Sequence, residues 1–381
     1  MNRSFTGTPR LLVSAALLTL LALGGTFLLD PYRNYQLAVI AGYFCATAGL
    51  TILVGRSGQL SLGHAALMAA GGYGYALASN AMTDAGIDGV PRFLAGLAGA
   101  VLASGLLGLL LGLAAARLRG PYLAGVTLAL VIAVPAVTSV FNDVFRGDQG
   151  LQIAYDGVPP LLSTLIALEQ WQAWVGIVVA AVTVTTLAII GRGAAGLRMR
   201  AVHGDETAAR LNGVAAGRTK VFAFVVSAVA AGLGGAVLCF VTQAVSPGAY
   251  TLAFSLLLVV AVVIGGLGSI GGAAIGSAIV VLLPWLIGVG SAALDLPTDL
   301  EQRLSGNLAV LIFGALLIVV TLMWPAGIAG AFRRIRVHRR EAREPESAAA
   351  KPVARRENPA RRQPARQNPA LQNPALRNTE R

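Results

Sequence analysis

Charge is scarce in this sequence. Only 12% of its 381 residues are Asp, Glu, Lys or Arg, about half the share of a soluble globular chain, which excludes a water-facing domain over most of its length. Cysteine is almost absent too. Cys45 and Cys239 lie in apolar runs with no CxxC or metal-ligand spacing, so they read as helix-packing thiols, and neither a disulfide nor a metal site is expected. The three histidines, His64, His203 and His338, are far apart, and no HExxH, GxSxG or Walker A pattern occurs. The chain is therefore expected to be non-catalytic, with no cofactor and no ATPase site of its own.

Ionisable residues are scarcest inside the apolar runs. Proton- and ion-coupled carriers place Asp, Glu, His or Lys at membrane depth, whereas here only His64 qualifies, near the start of its run. Its bland reading is a helix-end imidazole bonded to backbone or water. Its sharper reading is a solute contact. A self-contained secondary carrier is correspondingly disfavoured.

What is present is hydrophobic. Apolar residues make up 56% of the chain, mean hydropathy is +0.71, and the runs repeatedly reach membrane-spanning length. The pattern predicts an all-α polytopic membrane protein with about ten transmembrane helices, near 11–29, 36–54, 60–79, 93–116, 121–141, 172–190, 220–242, 251–267, 270–290 and 305–323. The first follows Arg3 and Arg10 but lacks an A-x-A site, so it is expected as an uncleaved span. The 46 glycines suit close helix approach.

Loop charge then sorts into two sets. One side collects Arg56, Arg117, Arg119, residues 191–220 and everything from Arg333 onward, and by the positive-inside rule it is cytoplasmic, with both termini there. The other side collects most of the acids, including Asp30, Asp84, Asp88, Asp143 and Glu169. The net charge of +12 thus reports topology rather than nucleic-acid binding. Residues 1–332 are expected to form the transmembrane domain. Residues 333–381, rich in Arg, Pro and Asn, read as a disordered cytoplasmic tail, a topology anchor able to adhere to anionic membrane lipid.

Residues 191–220 form a polar island in the apolar chain. Its middle reads as a short helix: Asp205 can cap the first turn, Glu206 and Arg210 pair at i,i+4, and Gly213 suits a left-handed stop. Two turns are marginal alone in water, so a lipid surface or a partner protein is required to hold it. Elsewhere one internal repeat stands out. GQLSLGHAALMAA from Gly58 and GLGSIGGAAIGSA from Gly266 share the pattern G-x-x-S-(L/I)-G-x-A-A-(L/I)-x-x-A, and both are expected to open spans as broken or re-entrant helix starts. The candidate translocation-path residues sit beside this flexible backbone: Ser57, Gly58, Gln59, Ser61, Gly63 and His64 in the first copy, and Gly265, Gly266 and Ser269 in the second. Tyr122, Thr127 and Asn142 add a polar seam along the fifth span.

Three stretches together resemble the LivM-like permeases of branched-chain amino acid ABC importers: GRSGQLSLGHAALMAAGGYGYAL from Gly55, ETAARLNGVAAGRTKVFAFVVSAVAAGLGGAVL from Glu206, and SPGAYTLAFSLLLVVAVVIGGLGSIGGAAIGS from Ser246. The resemblance implies a subunit of the bacterial inner membrane that pairs with a LivH-like second permease, two cytoplasmic ATP-binding subunits and an extracytoplasmic substrate-binding protein. It implies that the island docks on an ATPase through Ala208, Ala209 and Gly213, with Glu206 and Leu211 beside them and Asp205 and Arg210 on the same short helix. Urea and short-amide permeases carry similar motifs, so the solute stays open at this point between those and Leu, Ile or Val.

Overall fold

The computed structural model describes residues 8–292 apart from 119, 155, 156 and 161, together with 311, 314, 315, 318, 319, 322, 323 and 327–330. By its contacts the chain divides into Met1–Arg333 and Arg334–Arg381. The second unit, and with it the expected tail, lies outside the described residues, as does most of the expected tenth span.

The described part is a helical bundle of α1 (Thr8–Gly25), α2 (Pro31–Ser57), α3 (His64–Asp84), α4 (Val90–Arg117), α5 (Pro121–Val140), the short α6 (Asn142–Phe145), α7 (Leu168–Arg192), α8 (Ala194–Gly204), α9 (Glu206–Leu211), α10 (Ala216–Thr242), α11 (Leu252–Gly265) and α12 (Ile270–Ala292). Local signals set several of the ends. Asp30 accepts from Arg33 N at 3.1 Å ahead of Pro31 at the start of α2, and α2 stops at Gly58 in the left-handed region, φ 69°. Thr251 caps α11 by accepting from Phe254 N at 3.2 Å.

Eight of the described helical segments are long and apolar enough to cross a membrane: Pro9–Leu28, Pro31–Ser57, Val90–Arg117, Pro121–Val140, Leu168–Arg192, Ala216–Thr242, Pro247–Gly265 and Ile270–Ile287. This is an all-α polytopic membrane protein. The expected third span is placed differently: residues 58–63 are not helical, and the helix runs from His64 to Asp84. At 21 residues α3 has spanning length but is less apolar than the eight, carrying His64, Ser79, Asn80 and Thr83. It packs against α4 and α10, and most of its residues are buried, so it is faced by protein more than by lipid.

The long helix α10 lies at the centre, against α2, α3, α4 and α7. These crossings depend on missing side chains: a Cβ on Gly71 of α3 would lie 2.2 Å from Gly232 Cα of α10, and one on Gly74 would lie 2.5 Å from Gly99 O of α4. Backbones approach this closely only through glycine. The outlying α1 is tied to the rest by Thr26, just beyond its end, whose hydroxyl accepts from Gln170 Nε2 at 3.2 Å and Trp174 Nε1 at 2.8 Å.

The connections gather at two ends. At one, the last turn of α2 touches the last turn of α7, where a Cβ on Gly191 would strike the Arg56 guanidinium, and Gly55 abuts Gly268 between α11 and α12. At the other, β1 (Leu151–Gln152) pairs antiparallel with β2 (Ala244–Val245), Asn80 Nδ2 donates to Gln152 O at 2.9 Å, and Gln172 Nε2 donates to Val241 O at 3.1 Å.

Candidate functional site

The first repeat folds as a break between two helices. From Gly58 to Gly63 the chain is non-helical, with a bend at Leu62, and it re-enters a helix at His64. Its freed backbone groups find side-chain partners on other helices, as buried non-helical backbone must. Leu62 N donates to Thr127 Oγ1 of α5 at 3.0 Å, Ala65 N donates to Ser255 Oγ of α11 at 3.4 Å, and the Ser255 hydroxyl donates to Leu62 O. Ser61 turns back to accept from Gly63 N at 3.3 Å. His64 closes the node, with Nδ1 3.2 Å from Ser61 Oγ and Nε2 2.9 Å from Ser227 Oγ of α10.

His64, Ser61, Thr127, Ser227 and Ser255 are all fully buried. In this arrangement His64 contacts two of the protein's own hydroxyls rather than backbone or water. Ser57 and Gln59, bonded to each other, are also buried. Gly58 bears the side chain of His203 from α8: a Cβ there would lie 1.9 Å from His203 Nδ1. Between its left-handed φ and this contact, only glycine fits.

The second repeat begins the same way. Gly266 has φ 110°, Gly268 has φ 80°, and Ser269 Oγ accepts from Gly272 N at 3.1 Å before α12 continues. Ser61 and Ser269 occupy the same place in the shared pattern, and each bonds an amide at the head of the following helix. Gly265 packs on Gly272 across the α11–α12 crossing. The last turn of α2, just ahead of the first break, adjoins the second through Gly55 and Gly268. Tyr122 and Asn142 do not join them: Tyr122 is 77% exposed at the start of α5, and Asn142 lies beyond its far end.

The island folds as two helices. Asp205 caps α9, accepting from Thr207 N at 2.7 Å and Ala208 N at 3.0 Å, and the helix stops at Gly213, φ 79°. Glu206 pairs with Arg210 at 2.5 Å and, on its other oxygen, with Lys220 of α10 at 2.9 Å. Ala209 turns inward and is buried with Val202 of α8 and Ala216 of α10. Ala208, Arg210 and Leu211 face outward, Leu211 at 85% exposure. The chain thus supplies part of the support that α9 lacks by itself.

The model of a known transport family matches residues 32–321, the greater part of the chain; its description is branched-chain amino acid transport system / permease component. The chain belongs to this permease family. The match spans both breaks and the island. The high-affinity branched-chain amino acid transport system permease protein LivM of Escherichia coli strain K12 is 30% identical over 248 residues, 60% of this chain and 57% of that protein. Its namesake in Salmonella typhimurium strain LT2 is 30% identical over 254 residues, again 60% and 57%. The chain thus spans a little over half the length of these curated relatives. No solved structure matches.

Within this permease the sequence reading missed α8, Lys220, Ser227 and Ser255. A weak signal for α8 existed: its buried residues Gly196, Met199 and Val202 recur every three positions. For the two serines there was none, since their partners lie 163 and 190 residues away.

Proposed function

We propose that this permease forms half of the transmembrane path of an ABC importer for branched-chain amino acids in the bacterial inner membrane, and that α9 receives force from a cytoplasmic ATPase. In this reading a LivH-like permease completes the path, two ATP-binding subunits bind on the island side, and an extracytoplasmic binding protein delivers Leu, Ile or Val. Both termini are then cytoplasmic, and the chain itself performs no chemistry.

The observation that carries the reading is how α9 is held. One face is fixed to the bundle by Ala209 and by the Glu206–Lys220 pair, and the opposite face presents Ala208, Arg210 and Leu211 with nothing covering them among the described residues. A push on the outer face would pass through Lys220 into α10. Two helical turns on, Ser227 would carry it to His64 and the break, about 10 Å away along the axis. The spans would then rock as bodies about a few non-helical residues.

The test is Ala208→Trp in the assembled transporter. Its Cβ points away from the bundle, so insertion and folding should survive, while leucine uptake and the stimulation of ATPase activity by loaded binding protein should both be lost. Normal uptake by this variant would overturn the force-transfer reading, and uptake of urea without leucine would overturn the solute.

A further inference from the structure

Where α8 meets the start of α10, the surface of the bundle carries a groove of about 400 Å³. Ala195 and Arg198 of α8 line one wall, and Arg218, Thr219 and Phe222 of α10 line the other, with residues 213–215 of the connection between them. Arg198, Arg218 and Phe222 are all exposed, Phe222 at 43%.

The charge of this groove is uncompensated. Among the described residues no carboxylate pairs with Arg198 or Arg218, because the acids of the island are engaged elsewhere: Asp205 with the amides of Thr207 and Ala208, Glu206 with Arg210 and Lys220. Arg218 also lies in the first turn of α10, which holds no acidic residue and has no side-chain cap, so its charge stands against the helix dipole. Two arginines on facing walls in this condition call for an anion. Depth decides its kind. The 27 residues of α10 make about 40 Å of helix, against about 30 Å of hydrocarbon. Shared evenly, the excess puts roughly the first three residues, and with them Arg218, at headgroup level. Phe222 lies one turn deeper, inside the span, where a water-borne partner does not reach.

We propose that this groove binds an anionic phospholipid of the leaflet on the island side. Arg198 and Arg218, one from each wall, hold the phosphate oxygens as charge-assisted donors, and the Phe222 ring lies along an acyl chain. Basic pockets between spans are suited to such headgroups. The bound lipid bridges α8 to α10 at the root of the island, so the placing of α8, and of the α9 that follows it, depends on the charge of the membrane. The identity of the carried solute plays no part in this.

The experiment titrates the full chain in detergent micelles with phosphatidylglycerol or with phosphatidylcholine and counts bound lipid by native mass spectrometry. Phosphatidylglycerol should be retained at concentrations where phosphatidylcholine is not. Arg198→Gln and Arg218→Gln should each weaken its binding about fivefold, and Phe222→Ala should weaken binding of long-chain but not short-chain phosphatidylglycerol. Arg10→Gln removes the same charge from the start of α1, away from the groove, and should change nothing. All three arginines are exposed, so these variants should melt with the parent in phosphatidylcholine. Equal retention of the two lipids, or equal weakening by Arg10→Gln and by the groove variants, would overturn the inference. So would a groove that takes inorganic phosphate and retains no lipid, which would assign it to a soluble anion. Loss of the ATP-binding subunits from the assembled transporter in Arg198→Gln and Arg218→Gln, with lipid retention unchanged, would overturn it as well and assign the arginines to the partner protein.

Discussion

Lys220→Met is the perturbation that most directly examines how α9 is held. The Lys220 side chain is 10% exposed and that of Glu206 19%, so their 2.9 Å pair is largely desolvated. Breaking a fully buried pair by removing one partner costs about 3 to 5 kcal/mol. The full cost does not apply here, because Glu206 keeps its 2.5 Å contact with Arg210, which is half exposed. A cost of about 1 to 2 kcal/mol is the appropriate scale. Six residues do not persist as a helix in water, so this loss should appear as local opening of α9, raised roughly 5- to 30-fold.

Hydrogen exchange reads that opening at the amides of Ala209, Asn212 and Val214, which donate to Asp205 O, Ala208 O and Ala209 O at 3.0, 3.1 and 3.0 Å. Their protection should fall by the stated factor while amides in the middle of α10 keep theirs. Combining Lys220→Met with Glu206→Gln should cost less than the sum of the two single changes. Unchanged protection of α9 in Lys220→Met, or strict additivity in the double variant, would refute the claim that this pair joins α9 to α10.

Two further outcomes follow from the packing. Gly71→Val places a Cβ 2.2 Å from Gly232 Cα, where no rotamer gives relief; a cost above about 3 kcal/mol and loss of monodisperse protein on size exclusion are expected. Ser227→Ala leaves His64 Nε2 without its hydroxyl, so the melting temperature should drop by an amount equivalent to about 1 to 3 kcal/mol, and restoring the hydroxyl with Ser227→Thr should recover part of it.

What could be read from the sequence was what is local in it. The cap at Asp205, the Glu206–Arg210 pair and the stop at Gly213 all act within four residues, and each is formed as its spacing predicts. Membrane-spanning length is likewise a property of a single window. The break after Gly58 was legible as a glycine needing special backbone, but not as a clamp, because its holders Thr127, Ser227 and Ser255 come from three other helices. The orientation of Ala209 was illegible for another reason: a helix of six residues has too few positions to establish a buried stripe. The helix α3 was legible as a span near 60–79 but its start at His64 was not, because the non-helical residues before it are held by side chains of other helices.

The contact of Gly55 with Gly268 has a mechanical consequence. Backbone meets backbone there: a Cβ on Gly55 would lie 2.2 Å from Gly268 N, so neither surface carries a side chain that can change rotamer and absorb a displacement. Such a junction is stiff in compression and offers little resistance to sliding, which is the behaviour of a bearing. The end of α2 and the loop after α11 can turn against each other but cannot be pressed closer, and any tilt that begins on one side of the pair must be answered on the other.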